Sequence, residues 1–94
     1  MAADLRQFAL APDVVLQAAN GEVLLVKLAA EDMFALNATG AEIVQRLTTG
    51  LPVGTIIDEL TLAYDAPADA VASDVTALVS TLESRGLVIR IGES

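Results

Sequence analysis

The sequence predicts an α+β fold, a winged-helix-like domain in which a three-stranded antiparallel sheet is followed by three helices. Two observations carry this expectation. Apolar runs of strand length come first and runs with helical spacing come after them, and an Asn20-Gly21 pair separates two of the strand-like runs. A third, the stretch from Asp32 to Ile43, shows a short apolar strand running directly into a helix start. At 94 residues the chain is expected to be a single domain over 1–94 with its core at about 13–91. A chain of this size buries roughly 60–65% of its unfolded surface, enough for one modest core. Hydrophobic residues make up 54% and aromatics only 3%, so that core must be built from Leu, Val, Ile and Ala.

Residues 1–12 read as an extended lead-in ending at Pro12. Val14 to Ala19 and Glu22 to Leu28 then pair across Asn20-Gly21, because Asn-Gly accepts the positive φ angles of a type I′ hairpin. Val23 to Leu28 is apolar on both faces except at Lys27, which predicts a central strand. The third strand, Met33 to Leu36, therefore lies at a sheet edge, where another chain can pair. Its two-residue period puts Phe34 and Leu36 on the core face and Met33, Ala35 and Asn37 on the other.

Thr39 and Glu42 have the spacing of a capping box, and Ile43, Val44 and Leu47 continue at helical intervals, so a first helix is expected over about Gly40 to Thr48. Pro52 opens a second helical segment with Ile56, Ile57, Leu60 and Tyr64 on one stripe, ended by Asp65-Ala66-Pro67. The third helix is expected from Pro67 to Arg85, with Gly86 as a left-handed cap and Val71, Val75, Leu78, Val79 and Leu82 as its apolar line. Leu87 to Ile91 is β-prone and reads as a short final strand.

Composition removes several functions. The chain has no Cys and no His, which excludes disulfides, the usual zinc sites and thiol or imidazole catalysis. The adjacent carboxylates Asp58-Glu59 and Glu31-Asp32 point in different directions and have no basic companion, so no enzyme activity, cofactor or metal is expected. The net charge is −8 and the five cations are Arg6, Lys27, Arg46, Arg85 and Arg90. Specific DNA binders make about 6–10 phosphate contacts, so nucleic acid is a poor partner. No apolar run reaches the ~18 residues of a membrane span, and the N-terminus lacks the basic-then-apolar order of a signal peptide. A cytoplasmic protein is the expectation.

The Asn20-Gly21 hairpin, Phe34-Ala35-Leu36-Asn37-Ala38-Thr39-Gly40-Ala41-Glu42-Ile43, Tyr64-Asp65, Asp74-Val75 and the closing Leu82-Glu83-Ser84-Arg85-Gly86-Leu87-Val88 occur in an order that resembles the PqqD family over roughly residues 13–91. The resemblance implies a recognition element for ribosomally made, post-translationally modified peptides. In such a domain the leader segment of the precursor peptide adds as a strand to the edge strand, here Asp32–Asn37, against the third helix, a mode of capture by β-augmentation. Ala29-Ala30-Glu31-Asp32 stands where the pyrroloquinoline quinone chaperone has a Pro-Glu-Gly-type segment. Leu36-Asn37-Ala38-Thr39-Gly40 is closer to the standalone recognition proteins of lasso-peptide clusters. The implied partners are a leader peptide and a separate modifying enzyme, either a leader protease and cyclase or a radical SAM enzyme.

On that resemblance the candidate peptide-binding residues are Asp32, Met33, Phe34, Ala35 and Leu36 on the strand and Asp74, Leu78, Thr81, Leu82 and Arg85 on the helix. Met33 and Ala35 are the better side-chain contacts, since Phe34 and Leu36 are expected to support the core. Leu78 and Leu82 fit the core line as well, and Arg85 is placed to pair with a leader carboxylate. Two other readings remain: a homodimerisation or protein-interaction domain that uses the same apolar edge, and a winged-helix regulator.

Overall fold

A computed structural model describes residues 4–91. Its elements are β1 (Gln7–Leu10), β2 (Val14–Ala19), β3 (Glu22–Lys27), β4 (Asp32–Leu36), α1 (Ala38–Thr48), α2 (Val53–Tyr64), α3 (Ala68–Ser84) and β5 (Val88–Ile91). The three-stranded sheet has the order β2-β3-β4, both pairs antiparallel, so β3 is central and β4 is an edge, as the apolar patterning predicts. Asn20 and Gly21 both carry positive φ (54° and 78°), the geometry that a two-residue I′ turn demands.

The lead-in before Pro12 contains a strand. β1 pairs antiparallel with β5, from Gln7 opposite Ile91 to Leu10 opposite Val88, giving a second, two-stranded sheet that joins the two ends of the chain. Phe8 from β1 is fully buried, and the guanidinium carbons of Arg6 and Arg90 lie 5.8 and 5.7 Å from its ring centre. The same N-terminal segment finishes α2. Pro52 precedes that helix and offers no side-chain cap, so the amides of Val53 and Gly54 donate instead to the carbonyls of Arg6 and Asp4, at 2.9 and 2.7 Å.

The first helix begins two residues earlier than the capping box implies. Asn37 is the N-cap, its Oδ1 accepting from the Gly40 amide at 2.7 Å, and Thr39 lies inside the helix. Asn is among the best N-caps and ranks above Thr. Glu42, released from a capping role, turns its carboxylate to Arg46 and Tyr64. Tyr64 is thereby half-exposed rather than on the buried stripe of α2, where Ile56 and Leu60 are fully covered. Arg46 also reaches Glu59 at 2.9 Å and so links α1 to α2.

Pro67 caps α3 from outside rather than forming its first turn, and Gly86 adopts φ +72° just past its end. The Leu87 amide donates to the Leu82 carbonyl at 2.9 Å and the Gly86 amide to that of Glu83 at 3.1 Å, which makes the end a Schellman motif. Leu82 and Leu87, the apolar pair that accompanies such a motif, are both fully buried.

The core gathers Leu25 and Leu36 from the main sheet, Ile43, Val44 and Leu47 from α1, Ile56 and Leu60 from α2, Val75, Val79 and Leu82 from α3, and Phe8 and Val88 from the small sheet. Phe8 is the only aromatic among the fully buried side chains, so its deletion removes more core volume than any other single truncation. Phe8→Ala is expected to cost about 3–5 kcal/mol, read as a lower urea midpoint at unchanged slope. A loss below about 1 kcal/mol would show that β1 is not part of the folded unit.

Candidate peptide-binding site

One edge of β4 pairs with β3 and the other has no strand beside it among the described residues. Beside this free edge lies an open groove of about 460 Å³. Phe34, Ala35 and Leu36 form its strand wall, and Asp74, Ala77 and Leu78 of α3 form the opposite wall. The β4–α1 junction, with Asn37, Thr39, Gly40 and Ile43, closes one end. A smaller cavity of about 150 Å³ continues from that end between the helices, sharing Thr39, Ile43 and Asp74 and adding Leu60, Tyr64, Ala66, Val71 and Val75.

Local sequence explains this layout. β4 is five residues long and passes into α1 through Asn37 alone, so the helix start sits against the strand end. Small residues at 35, 40 and 77 leave the space that the groove occupies. The alternation along β4 matches the pattern read from sequence: Leu36 is buried and Phe34 half-buried on the core face, while Met33 (62% exposed) and Ala35 are exposed.

The structure brings together Phe34, Ala35, Leu36, Asp74 and Leu78 of the sequence-derived set. Leu82 is fully buried in the core, and its side chain is withdrawn from the groove. Thr81 is exposed on α3 outside the lining, and Met33 shares the outer sheet face with Val26 and Val15, which lie in register beside it. Sequence reasoning missed Ala77, Asn37, Thr39, Gly40 and Ile43. The signal for Asn37, Thr39 and Gly40 was present in Leu36-Asn37-Ala38-Thr39-Gly40, which spans the junction; Ile43 reads as a core residue of α1, and Ala77 contributes only by being small.

Arg85 and Asp32 occupy the far end. Arg85 Nη2 lies 2.9 Å from Asp32 Oδ2, and its guanidinium carbon is 4.9 Å from the centre of the Phe34 ring. The hydrogen bond from Arg85, helped by its charge, holds the Asp32 carboxyl below the usual aspartate range. This arginine is therefore already engaged and straps the first residue of β4 to the C-terminal end of α3. The other four cations are paired too: Arg6 with Asp4, Lys27 with Asp13, Arg46 with Glu42 and Glu59, and Arg90 with Glu83. Among the described residues there is no group of three or more Asp and Glu placed to hold a metal ion, and no helix is long and apolar enough to cross a membrane.

The model of the family described as coenzyme PQQ synthesis protein D (PqqD) matches residues 22–88, from the first residue of β3 to the first of β5. The chain belongs to the PqqD family. Two solved structures share the fold of this PqqD-family protein. One, described as lasso peptide synthetase B1 complexed with the leader peptide, is 28% identical with a TM-score of 0.83, the match covering 88% of this chain and 98% of that one. The other, TbiB1 in complex with the TbiA(beta) leader peptide, is 24% identical with a TM-score of 0.78 over 92% of this chain and 98% of that one. No curated protein sequence matches the chain.

The strap has a testable acid response. Because the folded pKa of Asp32 lies below its ordinary value of 3.8, the stabilisation it provides is present above that value and is lost as pH falls through the folded pKa. Carboxyl NMR titration of an Arg85→Met variant is expected to move the Asp32 midpoint up toward 3.8. An unchanged midpoint would show that the pair does not form in solution.

Proposed function

We propose that this PqqD-family protein captures the leader segment of a ribosomally synthesised precursor peptide, adding it as a strand to the free edge of β4 against α3, and presents it to a separate modifying enzyme. The observation that carries this reading is the coincidence of a strand edge that is unpaired among the described residues with a groove of mixed apolar and polar lining beside Phe34, Ala35 and Leu36. The 28% identical lasso peptide synthetase B1, whose structure contains a leader peptide, supports a lasso-type precursor. The family's own description supports a precursor of the pyrroloquinoline quinone type as the second reading.

Energetics explain why edge and groove are both needed. Ordering a flexible leader costs about 1–2 kcal/mol per residue in backbone entropy, and each new backbone hydrogen bond returns only about 0.5–1.5 net. Strand addition alone comes close to zero. Micromolar affinity, about −8 kcal/mol, then requires two or more leader side chains buried at roughly 1.5–3 kcal/mol each. A groove of about 460 Å³ supplies that space, within the roughly 300–1,000 Å³ of small-ligand clefts.

No chemistry is assigned to the protein itself. Its contribution is positional: a leader held on a carrier that also docks the enzyme presents the core peptide at an effective concentration on the order of millimolar. Free thiols, imidazoles and unpaired cations, which acyl or phosphoryl chemistry would use, are missing from the groove lining.

Fluorescence anisotropy with a labelled lasso-type leader, a labelled pyrroloquinoline quinone-type leader and duplex DNA tests the reading. Saturable micromolar or tighter binding of the lasso-type leader is expected, with DNA silent. Ala77→Trp, an exposed helix position that fills the groove, is expected to weaken binding at least about tenfold (~1.4 kcal/mol) at an unchanged melting temperature. Binding of neither leader, or equal affinity in the Ala77→Trp protein, would overturn the proposal. A concentration-dependent mass without peptide would place a second copy at the edge instead.

A further inference from the structure

Asp74 is the one charged side chain in the lining of the groove, and it also lines the adjoining smaller cavity. It stands exposed on α3 opposite a wall made by Leu36 and the β4–α1 junction, with Leu78 one turn along its own helix. Among the described residues it enters no ion pair, in contrast to all five cations, each of which is held by a carboxylate. The end of the groove nearer β5 is internally neutralised by Asp32 and Arg85, whereas the end nearer α1 carries an uncompensated negative charge.

A strand laid along β4 covers this carboxylate on one side. An ionised carboxylate can only accept hydrogen bonds, so covering it without supplying a donor forfeits its hydration and returns nothing. The net charge of −8, with every cation occupied, favours a positive donor over a neutral one and disfavours an acidic residue at that point. Resting on the leader-capture reading, we propose that the bound segment sets a Lys or Arg side chain on Asp74, and that this contact fixes the charge preference and register of the peptide in the groove. Arg85, already held by Asp32 and stacked on Phe34, takes no part in that selection.

The probe is the lasso-type leader labelled at its C-terminal end, with each of its Lys, Arg and Tyr residues changed in turn to Leu and to Glu. Each peptide is titrated by anisotropy against the wild type and against Asp74→Leu, an exposed substitution read alongside its melting temperature. One Lys or Arg position is expected at which Leu weakens wild-type binding about tenfold and Glu weakens it further. In the Asp74→Leu protein the same changes are expected to alter affinity less than about twofold. Raising the salt concentration is expected to shrink the wild-type difference.

Parallel losses in the two proteins, coupling confined to a Tyr, or tight binding of a leader with no Lys or Arg would each overturn the proposal while leaving leader capture intact. Failure of the wild type to bind the unmodified leader would overturn both.

Discussion

One ammonium group ties the C-terminal end of α3 to the middle of the sheet. Lys27 lies on the core face of β3, in the same alternation as Leu25 and Val23, where a charge is tolerated only if it is partnered. Its Nζ donates to the Gly86 carbonyl at 3.0 Å and to Asp13 Oδ1 at 3.3 Å, so the middle strand grips both the end of α3 and the entry to β2. The Leu28 amide adds a backbone bond to the Asp13 carbonyl at 2.9 Å. With the C-terminal end of α3 fixed by Lys27 and Arg85 and the rest of the helix packed on α2, the helix and β4 bound a space that neither fills. The groove lies between β4 and a helix whose C-terminal end these two cations tie to the sheet.

That arrangement separates stability from binding along the same helix. Val75, Val79 and Leu82 face inward and are fully covered, while Asp74 and Leu78, each one position before Val75 and Val79, line the groove together with Ala77. Asp74 and Leu78 lie about 100° around the axis from Val75 and Val79; Leu78 still packs against the core, whereas Asp74 and Ala77 are exposed, so changes at those two positions leave the core untouched. On the strand the separation is different, because the backbone edge is the binding element and Phe34 and Leu36 serve core and groove together. Substitutions there are expected to mix folding with affinity, and α3 is the cleaner place to change what the groove accepts.

Much of this fold is legible in the sequence because local chemistry and tertiary packing agree. Asn20-Gly21 fixes a hairpin register, the apolar character of β3 marks it as central, and Gly86 marks the end of α3. The β1–β5 sheet is not legible, since Gln7-Phe8-Ala9-Leu10 is too short to announce itself and its partner lies at the other end of the chain. The capping-box reading puts the start of α1 two residues late, because Asn37 and Thr39 are both competent caps and choosing between them requires seeing which oxygen meets an amide. Arg85 reads as a free cation until the strand that carries Asp32 is folded beside it. Ala77 was invisible for a further reason: its role is to be absent from a space, and a small residue on an exposed helix face looks the same whether or not anything fits beside it.

The electrostatic character follows from the same internal pairings. Five cations spent on local ion pairs contribute little individually to stability, since exposed pairs are typically worth about 0–1 kcal/mol. Their larger effect is on what the surface presents. Each paired cation is removed as a site for an external anion, and the remaining carboxylates set a negative field around the chain. At physiological ionic strength that field fades over about 8 Å, so it acts on encounter and on contacts at the groove rather than over long distances. Affinity must then come from apolar side chains entering the groove, with the backbone edge of β4 setting the direction of the incoming strand and charge deciding which strands arrive in a register that can be held.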